Sequence, residues 1–215
     1  MEKKHMLEFI NYGINNNITV KQMAKTNLGT SIFYLIGIIY GFILEYPNSI
    51  LSILMMLITL SLNIFTLIKS KQDSLKNKLT IMAVISLEAT VNFILFALIL
   101  CNILMLSLLQ KILVILIPIC CSLIYFYITK HAIRNGYFLN KNKCEKNKLI
   151  IYSMLGGMAG ILMARIFIKD VSQLTTVKIG IICTVFLAAC FSLGMINFLK
   201  LYYIKKIARC KMKLK

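Results

Sequence analysis

One acidic side chain, Glu88, lies in the otherwise almost wholly apolar run AVISLEATVNFILFALIL at residues 83–100. An ionised side chain at the centre of a bilayer costs at least about 2.5–3.5 kcal/mol, so this carboxyl must be protonated, paired or in contact with water. Asn92 follows four residues later and shares the same helix face. We therefore predict an intramembrane polar site at these two residues. Its role is either a step in an ion, proton or substrate path, or structural hydrogen bonding of a neutral acid to Asn92 or to a neighbouring helix.

Arg165, in the segment ILMARIFIKD, is the candidate ionic partner of Glu88. A rise of 1.5 Å per residue places Glu88 about 14 Å and Arg165 about 24 Å from the same membrane face. An arginine side chain bridges only part of that difference. The preferred interpretation is therefore that Arg165 extends to the nearer interface beside Lys169, with pairing to Glu88 as the alternative.

Catalytic and metal-binding motifs are missing from the sequence. It contains no C-x-x-C, H-E-x-x-H, G-x-S-x-G or phosphate-loop motif, and its two histidines, His5 and His131, are far apart. We therefore predict no metal site, no cofactor and no enzymatic activity. One alternative is a thiol peptidase in a cytoplasmic loop. His131 and Cys144 share the basic segment KHAIRNGYFLNKNKCEKNK, and a Cys–His pair is the minimum for thiol catalysis.

The composition is that of a membrane protein, since 59% of the 215 residues are hydrophobic and only 15% are charged. Globular domains carry about 25% charged residues, so lipid must cover the excess apolar surface. A transmembrane helix needs about 20 consecutive, mostly apolar residues. Six windows satisfy this requirement, at about 28–45, 49–68, 79–100, 109–129, 149–168 and 178–199. The predicted fold is all-α, a polytopic membrane bundle of six transmembrane helices.

The distribution of cations predicts the orientation of the spans. Of the 25 Lys and Arg residues, 21 fall in the N-terminal arm, in the segments after the second and fourth spans, or in the tail. Cytoplasmic loops carry an excess of Lys and Arg, so both termini are predicted to be cytoplasmic. The formal net charge of +18 then indicates contact with anionic lipids and not with nucleic acid, because the cations flank the ends of the spans.

Both ends of the chain are predicted to lie at the membrane surface. In the N-terminal arm, Met6, Phe9, Ile10 and Ile14 recur at the spacing of an amphipathic interfacial helix. Thr19 is predicted to cap a second short helix in the same arm. Membrane anchoring is the preferred role of both ends, with partner docking as the alternative. The predicted domains are the interfacial arm at 1–27, the six-span domain at 28–199 and a basic cytoplasmic tail at 200–215.

Pairs of glycines predict close packing between helices. Gly37 and Gly41 in the first span, and Gly156 and Gly160 in the fifth, form G-x-x-x-G faces that allow helix backbones to approach closely. These faces are predicted to pack either within the chain or across a homodimer.

The preferred function is a transport component of a membrane. The abundance of Ile, Lys and Asn is typical of an AT-rich bacterial genome, so the expected location is a bacterial cytoplasmic membrane. The component is either a small permease or a membrane subunit that works with a separate cytoplasmic ATPase or another membrane protein. The interfacial arm, six spans and basic loops resemble the membrane half of an ABC-2-type exporter in architecture. The alternative is a non-enzymatic immunity, resistance or binding protein that engages a membrane-active peptide or a partner membrane protein.

Overall fold

The computed structural model describes residues 3–12, 18–138 and 173–212, and within these residues it contains only helices and their connecting turns. The predicted all-α fold is confirmed for this part of the chain. The predicted fifth span at 149–168 lies outside the described residues, together with Ile14, Cys144, Gly156, Gly160 and Arg165. The helices are α1 (Lys3–Asn11), α2 (Val20–Ile43), α3 (Asn48–Lys69), α4 (Leu75–Ile103), α5 (Leu108–Arg134), α6 (Gln173–Leu193) and α7 (Ile196–Met212).

Five helical segments are long and apolar enough to cross a membrane, namely α2, α3, α4, α5 and the consecutive pair α6–α7. Polar side chains are buried between these helices and apolar side chains are exposed, which is the reverse of the distribution in a water-soluble protein. Asn27, Asn63 and Glu88 are buried, whereas Phe33 and Ile43 are 71% and 70% exposed. Apolar side chains face outward because lipid, and not water, covers the bundle, while polar side chains must find partners inside it. The chain is therefore an integral membrane protein.

The first span begins earlier than predicted. Thr19 caps a helix, with its hydroxyl accepting from the Gln22 amide and the Gln22 side chain accepting from the Thr19 amide. That helix is α2 itself, which continues without a break from Val20 to Ile43. The prediction of a second short helix in the arm is therefore wrong, because no proline or turn sequence interrupts the segment after the cap. As a result Asn27, assigned to the arm, lies inside the bundle.

Helix α4 is the central element of the bundle. Thirteen of its 29 residues are buried, against four of 27 in α5. It packs against α2, α3, α5, α6 and α7, and α2 and α3 also pack against each other. A side chain in the middle of α4 therefore faces protein on nearly every side, which is the setting of Glu88.

Helix α1 packs on the bundle. Its apolar residues Met6, Phe9 and Ile10 are only 7%, 2% and 3% exposed, because they contact Leu79 of α4 and Ile133 of α5 in a cluster that also includes Tyr203 of α7. The expectation that this face lies in lipid is wrong. Removing an apolar helix face from water gives about the same free energy whether the face packs on other helices or on acyl chains. Residues of α4, α5 and α7 provide the protein surface here. We call this side of the molecule the α1 end.

Helices α2 and α3 approach each other closely at Gly41. A methyl group added there would overlap Ser52 Oγ and would lie 2.9 Å from Ile99 Cδ1. One turn earlier, a methyl group at Gly37 would lie 3.1 Å from both Met55 Cε and the Phe96 ring. Both glycines therefore lie at helix contacts within the chain.

We expect Gly41→Ala to lower the free energy of unfolding by about 1–3 kcal/mol, because the added methyl overpacks the contact with Ser52. The matched control is Gly29→Ala on the same helix, where no atom lies within 4 Å of the added methyl. The control should be neutral or stabilising by roughly 0.5–1 kcal/mol, since alanine is the better helix former. Unfolding of the purified protein by titration with sodium dodecyl sulfate measures both. Equal stability of the two variants would contradict the close contact.

Candidate functional site

The carboxyl of Glu88 is 0% exposed and is held by side chains of two other helices. Asn27 Nδ2 of α2 donates to Glu88 Oε2 at 2.9 Å. Ser31 Oγ of α2 and Asn63 Nδ2 of α3 each lie 3.0 Å from Glu88 Oε1. We call these four residues the Glu88 cluster. Asn27 and Ser31 are one helical turn apart, so α2 presents both to α4, and the close packing of α2, α3 and α4 brings Asn63 to the same point.

The cluster is also bonded within itself. Asn27 Nδ2 donates to Asn63 Oδ1 at 2.9 Å, and Asn63 Nδ2 donates to Ser31 Oγ at 2.8 Å. The Asn63 amide has two hydrogens but three acceptors within reach, which are Ser31 Oγ, Glu88 Oε1 and the Thr59 carbonyl. The Ser31 hydroxyl has one hydrogen for two acceptors, the Asn27 carbonyl and Glu88 Oε1. These surplus acceptors can accommodate a proton on Glu88, since Oε1–H can donate to Ser31 Oγ without movement of the side chains.

The cluster belongs to a longer line of buried polar side chains on α3. Asn92 Nδ2 of α4 donates to Thr59 Oγ1 at 3.0 Å, and Asn102 Nδ2 donates to Asn48 Oδ1 at 2.8 Å. From Asn48 to Thr66, α3 covers about 27 Å, close to the roughly 30 Å of a hydrocarbon core. We call this line, with the Glu88 cluster and with Asn92 and Asn102 of α4, the polar column. Its members on α3 are Asn48, Ser52, Thr59, Asn63 and Thr66, interrupted by Met55.

Three atoms of the polar column have no hydrogen-bond partner among the described residues. They are Asn27 Oδ1, Ser52 Oγ and Asn92 Oδ1, on side chains that are 0%, 0% and 1% exposed. Buried polar atoms are nearly always paired in native structures, and each exception calls for an explanation such as an ordered water or an ion. Because these three atoms lie on one line through the bundle, they offer hydrogen-bonding groups to a polar ligand such as an ordered water.

The structure places the predicted site residues differently from the sequence-based expectation. Asn92 lies one turn beyond Glu88 and bonds Thr59, so the interpretation that it bonds the acid is wrong. The other alternative, bonding of Glu88 to neighbouring helices, is what the structure has. Glu88 lies beside Asn63, which is about 9 Å along α3 from the α1 end of that helix, and it is about 20 Å along α4 from the α1 end of its own helix. Among the described residues no cation pairs with Glu88, and Arg165 lies outside them.

Sequence reasoning does not identify Asn27 and Ser31 as partners of Glu88, or Thr59 as the partner of Asn92. A signal is present in the sequence, because the buried positions of α3 recur every three or four residues on one helix face, and all of them except Met55 are polar. Which faces of three helices meet depends on packing, and the spacing within a single helix does not contain that information.

A second feature is a groove on the lipid-facing side of α2, α4 and α6. It has a volume of about 270 Å³ and is lined mainly by apolar and aromatic side chains, with Asn92 and Thr184 as polar members. Tyr34 and Phe93 meet edge to face with centroids 6.1 Å apart, and Phe93 stacks on Phe191 at 5.6 Å. The unpartnered Asn92 Oδ1 belongs to a residue of this wall, so the groove and the polar column are adjacent.

The described residues include no group of three or more His, Cys, Asp or Glu side chains placed to hold a metal ion. The chain matches no protein-family model, no curated protein and no solved structure. The conclusion about function therefore depends on the geometry of the Glu88 cluster and the polar column.

Proposed function

We propose that the chain is a membrane transport component, a small permease, in which Glu88 takes up and releases a proton during transport. The observation that carries the proposal is a fully buried carboxyl whose hydrogen-bond partners among the described residues are all neutral side chains. A buried acid with a basic partner would stay ionised and serve as an ion pair. An acid surrounded by amides and a hydroxyl can instead change its protonation state while its neighbours exchange hydrogen bonds.

The polar column supports a path to this carboxyl. Its polar side chains extend over about 27 Å of α3, and three of its buried atoms have unused bonding capacity among the described residues. Among the buried residues of α3, only Met55 is apolar, and its side chain is 1% exposed. It therefore interrupts the polar column between Ser52 and Thr59.

Proton entry into proteoliposomes tests the proposal. Vesicles that contain the purified protein and an internal pH-sensitive dye are given a potassium diffusion potential, negative inside. Wild type should acidify the interior faster than empty vesicles, and Glu88→Gln should abolish the difference because glutamine keeps the hydrogen bonds but has no titratable proton. The matched control is Glu45→Gln, the same change at an exposed acid in the α2–α3 turn. Equal proton entry with wild type and Glu88→Gln would overturn the proposal.

We also propose the orientation and location of the bundle. Twelve described Lys and Arg side chains lie at or near the α1 end and two at the opposite end, which supports a cytoplasmic α1 end in a bacterial cytoplasmic membrane. The predicted span at 149–168 would complete six spans and return the chain to the side on which α6 begins. A membrane subunit of a larger exporter would have the same arrangement, and a separate ATPase would then co-purify through the loops at this end.

The aromatic groove supports a second candidate function, the binding of a membrane-active peptide by an immunity or resistance protein. Its wall faces lipid and has room for apolar side chains of such a peptide. Thr184→Leu should fill the groove and reduce protection against the peptide at least about tenfold, if the groove is the binding site. Thr184→Val keeps the shape of the threonine side chain and should retain protection. Protection of cells at matched protein levels measures both, and protection by the leucine variant at the wild-type level would exclude the groove.

A further inference from the structure

A basic groove lies between α5 and α7 at the α1 end, separate from the Glu88 cluster. It has a volume of about 690 Å³, and the described residues of its wall include three cationic side chains and no carboxylate. The cations Lys130 and Arg134 are one turn apart on α5, and Lys206 faces them from α7. Leu199, Tyr202 and Tyr203 also line the groove.

The three cations lack ionic partners within the part of the chain that the structure describes. An ion pair between described residues joins Lys78 to Asp73, at 3.6 Å, outside this groove. Like charges on facing helices repel one another, so an arrangement of three without an acid is stabilised when an anion lies between them. Lysine and arginine in such grooves bind phosphate groups, through point charge and through the planar guanidinium fork respectively.

The surroundings of the groove favour a lipid phosphate over a free one. On α5, Tyr127 and Leu123 follow Lys130 on the same helix face, one turn after another towards the middle of the span. They are 74% and 61% exposed, so this face is a continuous apolar track that begins at the basic groove. A headgroup phosphate in the groove would place an acyl chain along that track, whereas a soluble phosphate would leave the track unused.

We propose that this groove is a specific site for an anionic phospholipid, whose phosphate lies among Lys130, Arg134 and Lys206 and whose acyl chain follows α5. The site joins the end of α5 to α7 through the bound lipid. It is independent of transport through the Glu88 cluster.

Native mass spectrometry of the full-length protein in mixed micelles tests the site. The probes are phosphatidylglycerol and phosphatidylcholine of equal chain length. Wild type should retain one phosphatidylglycerol in preference to phosphatidylcholine, and the triple variant K130Q/R134Q/K206Q should bind it at least about tenfold more weakly. The matched control K21Q/K71Q/K76Q removes the same charge from exposed lysines at the α1 end that do not line the groove, and it should bind as wild type.

Each other outcome overturns the proposal. Equal weakening by both triple variants would indicate diffuse attraction to the basic surface, and no weakening by either would exclude the groove. Displacement of the lipid by glycerol phosphate at equal concentration would identify a soluble phosphate site. If the triple variant does not accumulate as a folded protein, the single changes Lys130→Gln and Lys206→Gln carry the test, and each should weaken binding about threefold or more.

Discussion

Replacement of Glu88 by leucine is expected to lower the free energy of unfolding by about 1–3 kcal/mol. The change leaves one Asn27 amide hydrogen inside the bundle without an acceptor, whereas the two Asn63 amide hydrogens keep Ser31 Oγ and the Thr59 carbonyl as acceptors. An unsatisfied buried donor costs roughly 1–3 kcal/mol in water-soluble proteins. Hydrogen bonds in membrane bundles average only about 0.6 kcal/mol, because the unfolded chain in the membrane also finds partners. We therefore expect a loss of free energy of unfolding in the lower part of this range.

Titration with sodium dodecyl sulfate measures this effect, with Glu88→Gln and Glu45→Leu as comparison variants. Glutamine preserves an acceptor oxygen and should lie within about 1 kcal/mol of wild type. Glu45 is exposed in a turn and its replacement should have little effect on stability. A leucine variant as stable as wild type would mean that the Asn27 amide finds another partner, and that the cluster contributes little to the fold.

Phe9→Ala is expected to release α1 from the bundle. The Phe9 ring is 2% exposed and lies edge to face with Tyr203, and its truncation in a packed core costs roughly 3–5 kcal/mol. A nine-residue helix does not persist alone in water, so the loss of docking should unfold α1 without unfolding the spans. Hydrogen exchange of the amides in residues 3–12 should accelerate at least about 100-fold, as detected by mass spectrometry.

The control for this change is Leu7→Ala, two residues away on the exposed face of α1, where the side chain is 43% exposed. It should leave the exchange of α1 nearly unchanged. The comparison separates two explanations of the amphipathic pattern. If α1 remains protected in Phe9→Ala and loses protection in Leu7→Ala, the membrane surface holds the helix and contact with the bundle does not.

The sequence is sufficient to predict the class of fold, because long apolar windows leave a membrane-spanning helix as the main option. It does not define where a span begins. Polar residues in the first turns of α2 look like an arm, although the cap at Thr19 shows that the helix has already started. The amphipathic pattern of α1 is equally ambiguous, since Met6 and Phe9 would have the same spacing against lipid or against protein.

Part of the candidate site can be predicted from the sequence, and the rest depends on how the helices pack. Glu88 could be identified because an acid in an apolar run is energetically costly and needs a reason. Asn27 and Ser31 carry little signal alone, since short polar side chains are common near the ends of spans. They become part of the site only when α2, α3 and α4 pack together, and the register of that packing is a property of the whole bundle.

The central claim is that Glu88 exchanges its proton with water through the polar column, although its side chain is fully buried. Stability measurements on Glu88→Leu do not test this claim, because a sealed cluster and an accessible one would both lose the same hydrogen bonds. Glu88→Gln separates the two, since it keeps the bonding pattern and removes only the titratable group.

Infrared difference spectroscopy of the carboxyl of Glu88 tests the claim most directly. The carboxyl band is assigned by its loss in Glu88→Gln, and wild type is then recorded over a series of pH values and after transfer to D2O. The account predicts that the band changes reversibly with pH or shifts in D2O, while the amides of the packed helices remain protected. A band that neither responds to pH nor shifts in D2O would show a sealed carboxyl, and would contradict a proton path through the polar column.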